Sequence, residues 1–270
     1  MSQYIEYRSQ NVHFTDTGNG QVLVLLHGFT ESLEIWNSFS GELSGSFRII
    51  CIDLPGHGRT ANFAPVHDME LMAEIVHAVL SYCRVQKCVM LGHSMGGYVT
   101  LSFAYLYPEI LKGLILFHSQ TDADDEEARR NRDRAIEVVR QNRSGFINQF
   151  IPDLFAPVNR ERLKNEIEVL KNQAGSISGK ALVAAMEGMK VRKNKRDLLA
   201  SISIPVFFIA GRQDTRIPFN KVLEQIALPA HAEALLLNDV GHMGYLEAPE
   251  ITLEAVRSFA LRAFGLPTKA

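Results

Sequence analysis

Ser94 stands in the stretch VMLGHSMGGYV, residues 89–99, two residues after Gly92 and two before Gly96. A neutral serine hydroxyl is a poor nucleophile and becomes useful only beside a base, which an acid must in turn orient. The spacing G-x-S-x-G suits a tight turn from a strand into a helix, where a Cβ at either glycine would clash and the serine oxygen is pushed into a cleft. The helix that follows aims its N-terminus at the site, so the Met95 N–H can stabilise an oxyanion. A plainer use for such a turn is to let a helix pack close to a sheet. The apolar run before Ser94 and the amphipathic run after it favour the nucleophile turn.

In folds built on this turn the chain order is serine, acid, histidine. Three histidines follow Ser94. His231 precedes its strand and falls at the wrong end of the sheet. His118 follows a strand directly but comes before the strong acid candidates. His242, in NDVGHMGYLEAP after the last strand, is the expected base. Asp214, in IAGRQDTRIP, is the expected acid, although an aspartate before Pro218 could instead cap a helix. Asp122 and Asp124 are the alternatives, within an acidic run that resembles a solvated helix start. The second oxyanion donor is expected at the Phe29 N–H in LHGFTESLEIW, with His27 bonding the backbone of that loop. Thr30, His93, His118 and Met243 are candidate pocket residues.

Strands and helices must position these groups. YIEYRSQNVHFTDTG reads as a hairpin. QVLVLLHG, FRIICIDLPG, KCVMLG and LKGLILF are short apolar runs of the kind that form strands buried on both faces. Helical patterns separate them around Leu33–Leu43, HDMELMAEIVHAVLSYC and MGGYVTLSFAYLYP, the last stopped at Pro108. The alternation implies parallel βαβ units. It stops after Phe117: residues 119–197 hold no strand-like run and read as helices. The sheet resumes with IPVFFIAG and AEALLLN, and ITLEAVRSFALRAF is a last helix. The expected organisation is a core of residues 1–118 and 198–270 with a helical cap, 119–197, inserted in it. Arg129, Arg130, Arg132 and Arg134 read as a solvated helix face paired with residues 124–127, as does KVRKNKR, 190–196. Phe146, Phe150, Phe155, Met186 and Met189 either pack the cap or line a pocket above Ser94.

Composition narrows the function. Of 270 residues, 46% are hydrophobic and 21% charged, which is globular. A net charge of −2 argues against a nucleic-acid partner, which needs clustered positive surface. MSQYIEYRSQ carries no apolar leader and no run reaches membrane-spanning length, so neither secretion nor membrane insertion is expected. Three cysteines, Cys51, Cys83 and Cys88, fit reduced thiols in a cytoplasmic protein. No metal or cofactor site is expected: GNG at 18–20 precedes a strand rather than a helix.

LHGFT, DLPGHGRT, GHSMGG, GRQDTRIP and GHMGYLEAPE, in this order, resemble the α/β-hydrolase superfamily across about residues 10–117 and 198–265. The resemblance implies an eight-stranded, mostly parallel sheet with helices on both faces and a helical cap after the sixth strand. It implies Ser94 as nucleophile, Asp214 as acid, His242 as base, and Phe29 and Met95 as oxyanion donors. Relatives with a nucleophilic aspartate, such as dehalogenases, are disfavoured by Ser94. HGFT with Ser32 and Trp36 is also similar to the pyruvate-eliminating synthase of the menaquinone pathway, although Glu31 replaces a glycine there and His93 an aromatic residue. The function implied is hydrolysis of small-molecule carboxylic esters through an acyl-enzyme. Lyase or C–C cleavage chemistry with the same triad, and a ligand sensor without turnover, are the alternatives.

Overall fold

The computed structural model describes residues 2–265. Eight strands form one sheet: β1 Ser2–Tyr7, β2 Gln10–Thr17, β3 Val22–Leu26, β4 Arg48–Ile52, β5 Cys88–His93, β6 Leu111–Phe117, β7 Val206–Gly211 and β8 Ala232–Leu237. Their spatial order is β1-β2-β4-β3-β5-β6-β7-β8. The first two pairings are antiparallel and the rest parallel. β3, β5 and β7 are buried at every residue, as their unbroken apolar runs require once helices cover both faces. β8, at the edge, is half-buried and mixes polar with apolar residues.

The helices are α1 Asn37–Leu43, α2 Met69–Tyr82, α3 Met95–Leu106, α4 Glu126–Phe150, α5 Lys164–Ser176, α6 Gly179–Lys190, α7 Arg196–Ser201, α8 Phe219–Ile226, α9 Gly244–Glu247 and α10 Pro249–Ala263. The Asp68 carboxylate caps α2 by accepting from the Leu71 N–H at 2.7 Å. Only the second half of the helix expected over Leu33–Leu43 is α-helical; Leu33–Trp36 form a tighter 3₁₀ turn capped by Ser32. Four helices, α4 to α7, occupy the chain between β6 and β7. α4 breaks at Asn142 (φ −148°, ψ 75°). The Asn142 side chain accepts from the Gly145 N–H at 2.9 Å and so caps a second helical arm.

The charged stretches of this insertion keep the expected solvated face at Arg129 and Arg134 and depart from it at Arg132, Arg192 and Lys195. Asp124 is buried and binds Arg132 (2.7 Å) and Arg192 (2.5 Å). Asp122 binds Arg196 at 2.6 Å. The Arg192 guanidinium lies 4.2 Å over the Tyr98 ring on α3, and Lys195 lies 4.2 Å over Tyr105. These cations join the insertion to the sheet's own helices through fixed partners. Arg130, paired with Glu126 at 3.5 Å, is exposed as expected.

Candidate active site

Parallel strands end on one side of the sheet, and the loops there collect the candidate groups. Phe29 follows β3, Ser94 follows β5, His118 follows β6, Asp214 follows β7 and His242 follows β8. Three non-glycine residues at these strand ends have positive φ: Thr30 (66°), Ser94 (51°) and His118 (47°). Backbone strain of this kind costs about 1–3 kcal/mol per residue and gathers at functional sites.

Ser94 holds φ 51°, ψ −114° before the first residue of α3. Its amide donates to the Phe117 carbonyl at 2.9 Å, and its carbonyl accepts from the Ser119 hydroxyl at 2.8 Å. Strand, turn and helix meet so closely that a Cβ on Gly92 would lie 2.2 Å from the Gly96 oxygen. One on Gly96 would lie 2.6 Å from the Leu26 oxygen. The glycines around Ser94 are therefore required by space. The first amides of α3, Met95 among them, have no partner within the helix by its geometry. The Phe29 amide is engaged by no other described group.

His242 donates from Nδ1 to Asp214 Oδ2 at 2.8 Å, which leaves Nε2 without a hydrogen-bond partner among the described residues. The other Asp214 oxygen accepts from the Arg216 and Ile217 amides at 2.7 and 2.9 Å. Burial alone would raise the Asp214 pKa. The imidazoles of His242 and His118 outweigh it and hold the carboxyl well below its ordinary range. Glu247 on α9 fixes the loop that carries His242. Its carboxylate accepts from the Gly241 and Met243 amides, both at 3.0 Å, and from the Ala156 amide at 2.9 Å.

His118 also reaches the acid, with Nδ1 3.2 Å from Asp214 Oδ2. Its Nε2 is buried against Gly244 and finds no partner. Burial lowers its pKa, so it supports the acid as a neutral ring. His118, Asp214 and His242 are close enough to share a metal ion. The ring nitrogens nearest Asp214 are turned toward its carboxylate, which favours a hydrogen-bonded set over a ligand set.

A second buried pair lies beneath the base. His93 Nδ1 is 2.9 Å from Glu31 Oε2, and its Nε2 is 2.9 Å from the His242 backbone carbonyl. Both ring nitrogens face acceptors, an arrangement only the doubly protonated imidazolium satisfies. Burial opposes that charge, but Glu31 and the carbonyl raise the His93 pKa above its ordinary value. Glu31 is buried too. His93 and the Gly28 amide hold its pKa down against the burial cost. Tyr245 donates its hydroxyl to the other Glu31 oxygen at 3.1 Å.

Ser94 and His242 open on a cavity of about 330 Å³, whose wall includes Phe29, Glu31, His93, Tyr98, Asn131, Arg132, Phe146, Phe150, Leu154, Met186, Met189 and Arg216. Among the expected pocket residues, His93 faces the cavity but both of its nitrogens are spent. Thr30, His118 and Met243 do not face it. The Thr30 hydroxyl turns back to the Phe29 carbonyl at 2.5 Å, and Met243 is fully buried. Of the undecided cap residues, Phe146, Phe150, Met186 and Met189 line the cavity, while Phe155 packs in the core. Asp122 and Asp124 serve arginines rather than His242. His27 accepts from the Leu54 amide at 2.9 Å and bonds the Gly28 carbonyl at 2.8 Å, holding the loop before Phe29. Glu31 and Arg216 are site residues that sequence reasoning missed. Arg216 stands two residues from Asp214, and that proximity was the available signal.

This sheet order, with a helical insertion and a serine turn after the fifth strand, defines an α/β enzyme scaffold. The family model described as alpha/beta hydrolase fold matches residues 21–249, and the chain belongs to that family. A thermophilic esterase from Thermogutta terrifontis, solved with malate bound, superposes with a TM-score of 0.91. It is 30% identical, and the match covers 97% of this chain and 99% of that one. An esterase from Exiguobacterium antarcticum shares the fold at a TM-score of 0.87 and 21% identity, over 96% and 99% of the two chains. The dihydrolipoyllysine-residue acetyltransferase component of the acetoin cleaving system from Pseudomonas putida is 30% identical over 244 residues. That match covers 89% of this chain, which spans 63% of the relative's length.

Proposed function

We propose that this chain is a serine hydrolase that cleaves carboxylic esters of small molecules through an acyl-enzyme. The observation that carries the reading is the strained Ser94 turn opening on the same cavity as a histidine held by a buried carboxylate. The esterases named above, similar in fold over almost the whole chain, support it. Ser94 Oγ attacks the ester carbonyl while His242 Nε2 takes its proton. Asp214 keeps the ring in the tautomer that accepts there and stabilises the imidazolium that forms. The Phe29 and Met95 amides receive the oxyanion, whose negative charge grows only in the transition state. His242 returns the proton to the leaving alkoxide. A water activated by the same nitrogen then attacks the acyl-enzyme and frees the acid and Ser94. The helices α4 to α7 act as a cap that supplies the apolar wall and limits water around the reacting carbonyl.

The test is hydrolysis of short p-nitrophenyl esters by wild type beside Ser94→Ala, with fluorophosphonate labelling of both. Turnover reduced roughly 10³-fold or more in the variant, with labelling lost, is the expected result. Equal rates in the two proteins would end the proposal. Labelling without turnover on any chain length would redirect it to lyase substrates or to a sensor.

A further inference from the structure

The cavity is apolar around Ser94, with Phe29, Phe146, Phe150, Met186 and Met189 in its wall, but two guanidiniums interrupt it: Arg132 from α4 and Arg216 from the loop after β7. Glu31 is the one carboxylate among its described lining residues, and the Gly28 amide, His93 and Tyr245 already occupy it. Arg132 shares Asp124 with Arg192, so a single carboxylate answers two cations. Arg216 has no carboxylate at ion-pair distance among the described residues. Its guanidinium lies 4.5 Å over the Phe150 ring instead. Partial burial lowers its pKa, and the charges of Asp153 and Asp214 only partly compensate. A chain of net charge −2 has therefore gathered more guanidiniums than free carboxylates at its cavity wall.

Resting on the ester-hydrolase reading, we propose that the cavity takes esters bearing a carboxylate remote from the scissile bond, with Arg216 as the partner of that carboxylate. The apolar wall receives the methylenes between the two ends. A guanidinium stacked on an aromatic ring has its fork fixed and its donors turned outward, ready for a two-pronged contact with a carboxylate. Arg132 adds long-range attraction that weakens with salt.

The experiment compares kcat/KM for monomethyl glutarate and methyl pentanoate, which share the ester and differ at the far end, by pH-stat titration at low and high salt. Wild type is expected to favour monomethyl glutarate by about tenfold, the worth of one charge-assisted hydrogen bond. Arg216→Gln is expected to bring that ratio near one, and Arg216→Lys to restore part of it. A wild-type ratio at or below one, or a ratio unchanged in Arg216→Gln, overturns the proposal. Hydrolysis of neither ester, with the p-nitrophenyl esters also uncleaved, overturns the ester-hydrolase reading instead. Glutarate binding by calorimetry then decides the anion subsite alone: binding by wild type lost in Arg216→Gln supports it, and no binding, or equal binding by both, overturns it.

Discussion

Glu31→Gln removes one charge from a buried pair while keeping nearly the same shape. The glutamine oxygen can still accept from the Gly28 amide, so the main loss is the partner of the His93 imidazolium. Both side chains are almost fully buried, at 1% and 2% exposure, and solvent screening does little to soften the change. Breaking a buried pair from one side costs about 3–5 kcal/mol. The lower end applies here, because His93 can shed its proton, losing one of its two hydrogen bonds. About 3 kcal/mol corresponds to a fall in Tm of roughly 6–12 °C for a domain of this size. The effect depends on pH. His93 has a pKa raised above 6.5, so its contribution is full below 6.5 and is lost as pH rises through the folded value. Glu31 has a pKa lowered below 4.5, so its contribution is present above 4.5 and is lost as pH falls through the folded value. The gap between wild type and variant is therefore widest from pH 4.5 to 6.5. Thermal unfolding followed by far-UV circular dichroism at pH 5.5 and pH 9, at fixed ionic strength, measures it. A gap below about 3 °C at pH 5.5, or a larger gap at pH 9, would refute an ionised pair.

Asp214→Asn should lower kcat by roughly 10⁴-fold with little change in KM, since the amide permits the wrong His242 tautomer. Steady-state kinetics on the ester cleaved fastest measure it, and a loss below tenfold would remove Asp214 from the triad. Gly188→Ala should destabilise by about 3 kcal/mol or abolish soluble expression, because the new Cβ would lie 1.7 Å from the His67 backbone oxygen where α6 meets the core. An unchanged Tm would show that this contact yields freely.

The strands were legible because fully buried parallel strands must be apolar throughout, and VLVLL and VFFIAG are. The serine turn was legible because its glycines answer a local steric need. The pairings were less so. Asp124 and Arg192 are 68 residues apart, and Glu31 and His93 are 62 apart, so no periodicity connects them. A charge run reads as solvated until its distant partner is known, so Arg132 and Arg192 read as surface residues although Asp124 draws both inward. Phe146 and Phe155 have the same side chain; which faces a cavity and which a core depends on how α4 bends and what lies across from it.

That bend has a consequence for inheritance. A straight helix would set Asn131 and Phe150, 19 positions apart, about 28 Å from each other. Both nonetheless reach one cavity of about 330 Å³, because Asn142 ends one arm and starts the next. The reach of the pocket is thus written in a few residues around position 142, in a segment that supplies no strand and no member of the Ser94, Asp214 and His242 set. Lengthening or shortening either arm there would slide the Phe146 and Phe150 rings past Arg132 while the loops bearing Ser94, Asp214 and His242 stayed in place. Descendants of this gene could acquire a new preference for substrate length without having to rebuild the chemistry.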